Sequence, residues 1–305
     1  MDIYLPIAEV SLNLFVILGL GAGIGFLSGM CGVGGGFMLT PLLIQIGVPP
    51  PVAVASAANQ VAGASVSGFL GHLKRATVDM KMGWVLLGGG LAGSSLGVLL
   101  FRLLREWGQV DLVVALCYVI LLGALGTMMM IESVGAIFKR NKGAAKGRGA
   151  RRHSWMHRLP LKMRFRKSKL YISALVPAGI GFGVGVLSAL MGVGGGFIVV
   201  PAMIYILGMP TAVVVGTSLF QIMFTSAYVT FLQAWTNQSV DIALATLMLF
   251  GGVVGAQLGT RLGAKLPAEY LRALLALLIL AVSVKVLLDL TVPPVDVYSR
   301  GIVPS

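Results

Sequence analysis

Apolar positions along this chain come in unbroken runs instead of at intervals. Residues 12–30, 52–70, 82–100, 112–131, 170–190, 212–232, 242–262 and 271–288 are dominated by Leu, Val, Ile, Ala, Gly, Met and Phe. Each run approaches the roughly 20 residues that carry a helix across about 30 Å of hydrocarbon. A membrane barrel would alternate apolar and polar residues at a period of two, and these runs do not. The pattern therefore predicts helices, and no stretch is left over for a soluble domain. Two further apolar segments, 33–47 and 193–207, are fifteen residues each. As helix that is about 22 Å by the 1.5 Å rise, short of a full crossing. Each is expected to be either a short crossing or a re-entrant half-helix.

The expected fold class is all-α: a polytopic integral membrane helical bundle. Composition agrees, with 57% hydrophobic residues, 11% charged and a mean hydropathy of +0.94, against about a quarter charged in an average soluble domain. The first ten residues carry Asp2 and Glu9 but no Lys or Arg. They lack the basic start of a cleaved signal peptide, so the first apolar run is expected to stay as a span.

Charge is concentrated in one place. The net charge is +13, and residues 139–169 hold thirteen of the 23 Lys and Arg and no Asp or Glu. Basic segments beside spans face the cytoplasm, so this linker is expected there as a topology anchor, with anionic lipid as a possible partner. Nucleic acid is not an expected partner. The linker divides the chain into a first transmembrane repeat (1–138), the linker itself (139–169), a second repeat (170–290) and a C-terminal tail (291–305).

The two halves read as copies. Gly25-Phe-Leu-Ser28 matches Gly185-Val-Leu-Ser188, Pro49 matches Pro210, Gln60 matches Gln221, Asp79 matches Asp241, and Gly89, Gly93 and Gly97 match Gly251, Gly255 and Gly259. Many secondary transporters are built from such duplications. Loop charges favour inverted copies. That arrangement puts Lys74, Arg75 and Lys81, together with Arg261, Lys265 and Arg272, on the linker's side, and leaves the loop 235–241, which has no Lys or Arg, outside with both termini.

The most distinctive repeat is a glycine knot. Gly32, Gly34, Gly35 and Gly36 stand in GVGGGF, and Gly192, Gly194, Gly195 and Gly196 stand in its second copy. Glycine costs up to about 1 kcal/mol per residue in a helix interior, so each knot is expected to break its helix. Breaks at membrane depth are tolerated only where the backbone is buried in protein or lines a cavity. The helix expected to restart at Phe37 or Phe197 would present free N–H groups and about half a positive charge. Two such ends in one cavity suit a small anion without any Lys or Arg. The four-residue glycine rows elsewhere read as close helix packing.

Polar residues after the knots could complete such a site: Ser56, Asn59, Gln60 and Ser65 in one half, Thr217, Ser218, Gln221 and Ser226 in the other. Ser56, Asn59 and Gln60 share a helix face. Lining a site and hydrogen bonding between helices remain equally open roles for them. No acidic residue lies in mid-span, since Asp79, Asp111, Asp241 and Asp289 fall near run ends. Cys31 and Cys117 have no metal-ligand spacing. The sequence calls for no cofactor or metal and shows no catalytic constellation, so an enzyme is not expected.

The duplicated GxGGGFxxxP-like signature, the Pro49 and Pro210 turns and the central hydrophilic linker resemble the TauE/SafE family, also described as sulfite exporters or 4-toluene sulfonate uptake permeases. The likeness covers roughly residues 12–288. It implies a multi-pass bacterial inner-membrane transporter moving small sulfur-containing anions such as sulfite or organosulfonates, with export as the expected direction. An anion channel and a non-transporting scaffold with a basic lipid- or partner-binding linker are the alternatives.

Overall fold

The computed structural model describes residues 2–31, 33–131, 161–165, 167–168, 170–263 and 268–291. Gly32, most of the basic linker and residues 292–305 lie outside the described residues. The first half contains α1 (Leu14–Cys31), α2 (Gly36–Gln45), α3 (Pro50–Lys74), α4 (Met80–Glu106) and α5 (Val110–Cys117). After α5 the helix continues through a π-helical turn (Tyr118–Leu122) into α6 (123–131). The second half has α7 (Leu175–Met191), α8 (Gly196–Tyr205), α9 (Thr211–Leu232), α10 (Ile242–Gly263) and α11 (Ala268–Thr291).

Among the described residues, five helical stretches are long and apolar enough to cross a membrane by length and composition: Met80–Glu106, Leu112–Ile131, Thr211–Asn237, Ile242–Gly263 and Ala273–Thr291. Large apolar side chains such as Phe15, Ile131, Trp235 and Phe250 point outward. Water could not solvate so much apolar surface cheaply, and hydrocarbon can.

Two antiparallel β-hairpins precede α1 and α7, where the apolar runs alone suggest helix from residues 12 and 170. In one, β1 (Asp2–Leu5) pairs with β2 (Val10–Asn13); in the other, β3 (Lys162–Phe165), inside the stretch read as linker, pairs with β4 (Leu170–Ser173). Polar caps fix where the helices begin. Asn13 Oδ1 accepts from the Phe15 N–H at 3.0 Å and Ser173 Oγ from the Leu175 N–H at 3.2 Å, satisfying donors that a helix start leaves free.

Each hairpin is pinned by a buried carboxylate. Asp241 caps α10 through the Ala243 and Leu244 amides and also accepts from the Ile7 N–H at 3.0 Å and the Ala8 N–H at 3.4 Å. Asp79 caps α4 through Met82 and holds Ser168. Beside them, Leu5 and Phe165 are fully buried.

Small residues set helix directions. Gly21, Gly25 and Gly29 of α1 meet Met248, Gly252 and Ala256 of α10 in rising order, so these helices run parallel. Gly89, Gly93 and Gly97 of α4 meet Ala178, Phe182 and Val186 of α7 in the same way. A Cβ on Gly25 would collide with the Gly252 carbonyl, and one on Gly185 with that of Gly90. Asn59 and Ser67 of α3 donate to Ala245 and Val253 of α10, again in rising order. Gly83, Gly90 and Ser95 of α4 meet Phe220, Thr225 and Tyr228 of α9. Between α3 and α9 the order reverses, with His72 against Gly216 and Gly68 against Leu219.

It follows that α1, α3 and α10 run one way and α4, α7 and α9 the other. Thus α1, α3 and α4 of the first half run opposite to α7, α9 and α10 of the second, respectively. Because α1 and α3 share a direction, the short α2 must return the chain toward the side from which α1 came, and α8 does the same from the opposite side.

Candidate functional site

Both knots break their helices, and the breaks lie against each other. A Cβ on Gly36 would come 2.7 Å from both the Gly192 carbonyl oxygen and Val193 Cα, and one on Gly196 would collide with the Val33 carbonyl. The Phe37 and Phe197 rings, one residue further on, lie 6.3 Å apart and are buried. Gly34, Gly35, Gly192, Gly194 and Gly195 all have positive φ, between 70° and 86°. L-residues with a Cβ disfavour that region, so the turns need glycine.

Gly35 and Gly195 are the N-caps of α2 and α8, and no side chain caps either end. The first N–H groups of two ten-residue helices are thus aimed into the middle of the bundle, each end carrying about half a positive charge. Among the described residues the buried charged side chains are Asp79 and Asp241, both at outer helix ends. Among the described residues, the centre holds helix dipoles and neutral polar groups only.

On the other side of the second break, the carbonyls at the end of α7 are satisfied by donors from elsewhere in the chain. The Met191 carbonyl accepts from Tyr118 Oη at 3.0 Å and Thr40 Oγ1 at 3.1 Å, and the Ala189 carbonyl from Gln233 Nε2 at 3.3 Å. Bonds of this kind make a helix interruption tolerable at membrane depth. Tyr118 and Thr40 are lone polar residues in apolar runs and Gln233 stands among the polar residues at the end of its span; sequence reasoning passed over all three.

The helices packed around the breaks, α1, α3, α7 and α9, carry buried polar atoms without partners inside the protein. Among the described residues, the buried Ser28, Ser56, Ser65, Ser188 and Ser226 hydroxyls and the Gln60 and Gln221 carbonyl oxygens have none. Most fall into matching pairs: Ser28 with Ser188, Gln60 with Gln221 and Ser65 with Ser226. Leaving such a group unpaired costs about 1–3 kcal/mol, so a set of them marks a place where a polar visitor is welcome.

Two of the hydroxyls adjoin the knots directly. Ser28 Cβ lies 3.3 Å from where a Gly35 Cβ would sit, and Ser226 Oγ lies 2.8 Å from that of Gly194. Val61 and Ile222 close the space around Gly34 and Gly194.

The polar residues singled out from the sequence separate into two groups. Ser56, Gln60 and Gln221 are fully buried with unpartnered atoms. The Gln60 amide reaches the Gly21 carbonyl at 3.4 Å, and that of Gln221 reaches Thr225 Oγ1 at 3.2 Å. Asn59, Thr217 and Ser218 are engaged elsewhere. Asn59 donates to the Ala245 carbonyl, Ser218 donates to Val215 of its own helix, and Thr217 donates to the Val213 carbonyl while accepting from the Asp79 N–H.

Fold and site together define a polytopic helical membrane protein in which two broken helices meet at the centre of the bundle. A family model described as Sulfite exporter TauE/SafE matches residues 17–286, and the chain belongs to that family. A probable membrane transporter protein of Xylella fastidiosa (strain 9a5c) is 30% identical over 288 residues, covering 90% of this chain and 95% of the relative. The probable membrane transporter protein YjnA of Bacillus subtilis (strain 168) is 27% identical, covering 89% of this chain and 98% of the relative. No solved structure matches the chain. The protein is a multi-pass membrane transporter.

Proposed function

We propose that the protein is a secondary transporter that exports small sulfur-containing anions, such as sulfite or organosulfonates, across a bacterial inner membrane. The observation that carries this reading is the pair of uncapped helix N-termini at Gly35 and Gly195, with the unpartnered Ser28 and Ser226 hydroxyls beside the knots and no Lys or Arg among the described residues there. A small oxyanion accepts hydrogen bonds from backbone N–H and hydroxyl groups and gains from both helix dipoles. The absence of Lys or Arg at the described centre limits how tightly the anion is held, which a carrier needs for release.

Matching helices that point in opposite directions suit alternating access, in which one repeat rocks against the other around a fixed central site. The two halves then exchange roles as the site opens to either face. The basic linker faces the cytoplasm and holds the orientation through its charge, with anionic lipid as its partner.

The test is sulfite-dependent counterflow in proteoliposomes of the purified protein, with organosulfonates, thiosulfate and sulfate as competitors. Saturable exchange blocked by sulfur oxyanions is the expected result. No exchange of any of them, from protein shown to be folded, would overturn the substrate class. Export is tested separately, by whether cells lacking the protein accumulate sulfite.

A further inference from the structure

Between the C-terminal halves of α3 and α10 lies a groove of about 500 Å³ with two different ends. Along its length an apolar strip, Val66 and Leu70 (43% and 51% exposed) with Val253 opposite, runs beside the polar Ser67 and Gln257. At its mouth stand Lys74, Arg75 and Arg261, and its lining contains no Asp or Glu. Arg75 crosses the mouth, its Nη2 donating to the Thr260 carbonyl at 3.2 Å, which fixes the guanidinium and leaves its other N–H groups free to bind. Gly63 and Gly71 keep the floor low.

We propose that this groove holds one anionic phospholipid, its phosphate among Lys74, Arg75 and Arg261 and an acyl chain along Val66, Leu70 and Val253. Arg and Lys converging without a carboxylate is the chemistry that recognises phosphate. The apolar strip favours a lipid over a free anion, because a small hydrophilic ion gains nothing from Val66 or Leu70 while an acyl chain does. Position agrees. The mouth lies at the end of α3 where Lys167, on the hairpin that closes the basic linker, donates to the Ala76 carbonyl at 3.1 Å. With the linker inside, the mouth opens at the cytoplasmic leaflet, where anionic headgroups attract basic residues beside spans. This inference rests on that orientation and not on the identity of the transported anion.

The test is titration of the full-length protein in neutral detergent with pyrene-labelled phosphatidylglycerol, and separately with pyrene-labelled phosphatidylcholine. Saturable binding of the anionic probe is expected, with roughly tenfold preference over the zwitterionic one. The double variant Lys74→Gln/Arg261→Gln, at two exposed positions, should erase that preference and leave phosphatidylcholine binding unchanged. Equal binding of the two wild-type probes would overturn the proposal without any variant. So would a preference that survives in the double variant but disappears when Lys142, Lys146 and Arg148 of the linker are neutralised. Displacement of the probe by sulfite as effectively as by unlabelled phosphatidylglycerol would reassign the groove to a small anion.

Discussion

Ser168 holds Asp79 Oδ2 twice, through its backbone N–H at 3.0 Å and its hydroxyl at 2.7 Å. The same carboxylate caps α4, so one buried side chain joins a hairpin to the start of a spanning helix. Asp241 does the equivalent for the N-terminal hairpin and α10. Hydrogen bonds to a charged group are worth about 1.5–3 kcal/mol each and a helix cap about 1. Asp79→Ala and Asp241→Ala should therefore each destabilise by at least about 3 kcal/mol. Thermal unfolding in detergent checks this, with apparent melting points expected to fall by several degrees. A melting point equal to that of the wild type would show that the hairpins are not anchored this way.

Much of the helical fold is legible in the sequence because lipid imposes a simple rule. A span needs a continuous apolar run, and a break in mid-bundle needs residues as conspicuous as Gly34, Gly35 and Gly36. The hairpins were not legible. Their strands are four residues each, too short for a clear alternation, and their anchors lie 89 and more than 230 positions away. Asp79 and Asp241 read only as residues near helix ends. Thr217 looked like a site donor, yet its hydroxyl sits between Val213 and Asp79 because it lies on the second turn of α9. Ser28 was hidden for the opposite reason, standing inside a row of small residues that reads as packing.

Glycines in α1 and α7 separate sharply into two kinds. Gly23 and Gly183 have open space where a Cβ would go, whereas Gly25 and Gly185 face backbone carbonyls. Gly23→Ala and Gly183→Ala should be neutral or stabilise the helix by up to about 1 kcal/mol. Gly25→Ala and Gly185→Ala must push two helices apart, at about 3 kcal/mol or more. Fluorescence size-exclusion profiles should show folded protein for the first pair and loss of the monodisperse peak for the second. Equal profiles for both pairs would contradict the helix contacts described above.

Direction can be read by chemistry. Lys81 lies at the start of α4 and Thr236 at the end of the span containing α9, and these helices run parallel. Both side chains are exposed. In a background with Cys31 and Cys117 replaced, Lys81→Cys should react with a membrane-impermeant maleimide only from the cytoplasmic face, and Thr236→Cys only from the other. Reaction of both from one face would sink the opposed directions of the two halves.

The hydroxyls beside the knots separate a binding role from a packing role, because the two roles predict opposite effects on stability. Ser28 and Ser226 adjoin Gly35 and Gly194, and neither hydroxyl has a partner within the protein. If they only filled space, alanine would remove an unpaired polar atom, leaving stability equal or higher and transport untouched. If they donate to the anion, each loss removes a hydrogen bond to a charged group, about 1.5–3 kcal/mol, or roughly ten- to a hundredfold in affinity. Ser28→Ala and Ser226→Ala are expected to raise the half-saturating sulfite concentration in counterflow by that factor while the melting point holds or rises. Unchanged half-saturation in both variants would remove these hydroxyls from the site. A fall in melting point together with normal transport would mean that they bond to structure, and the unpartnered oxygens would lose their meaning as a mark of where the anion sits.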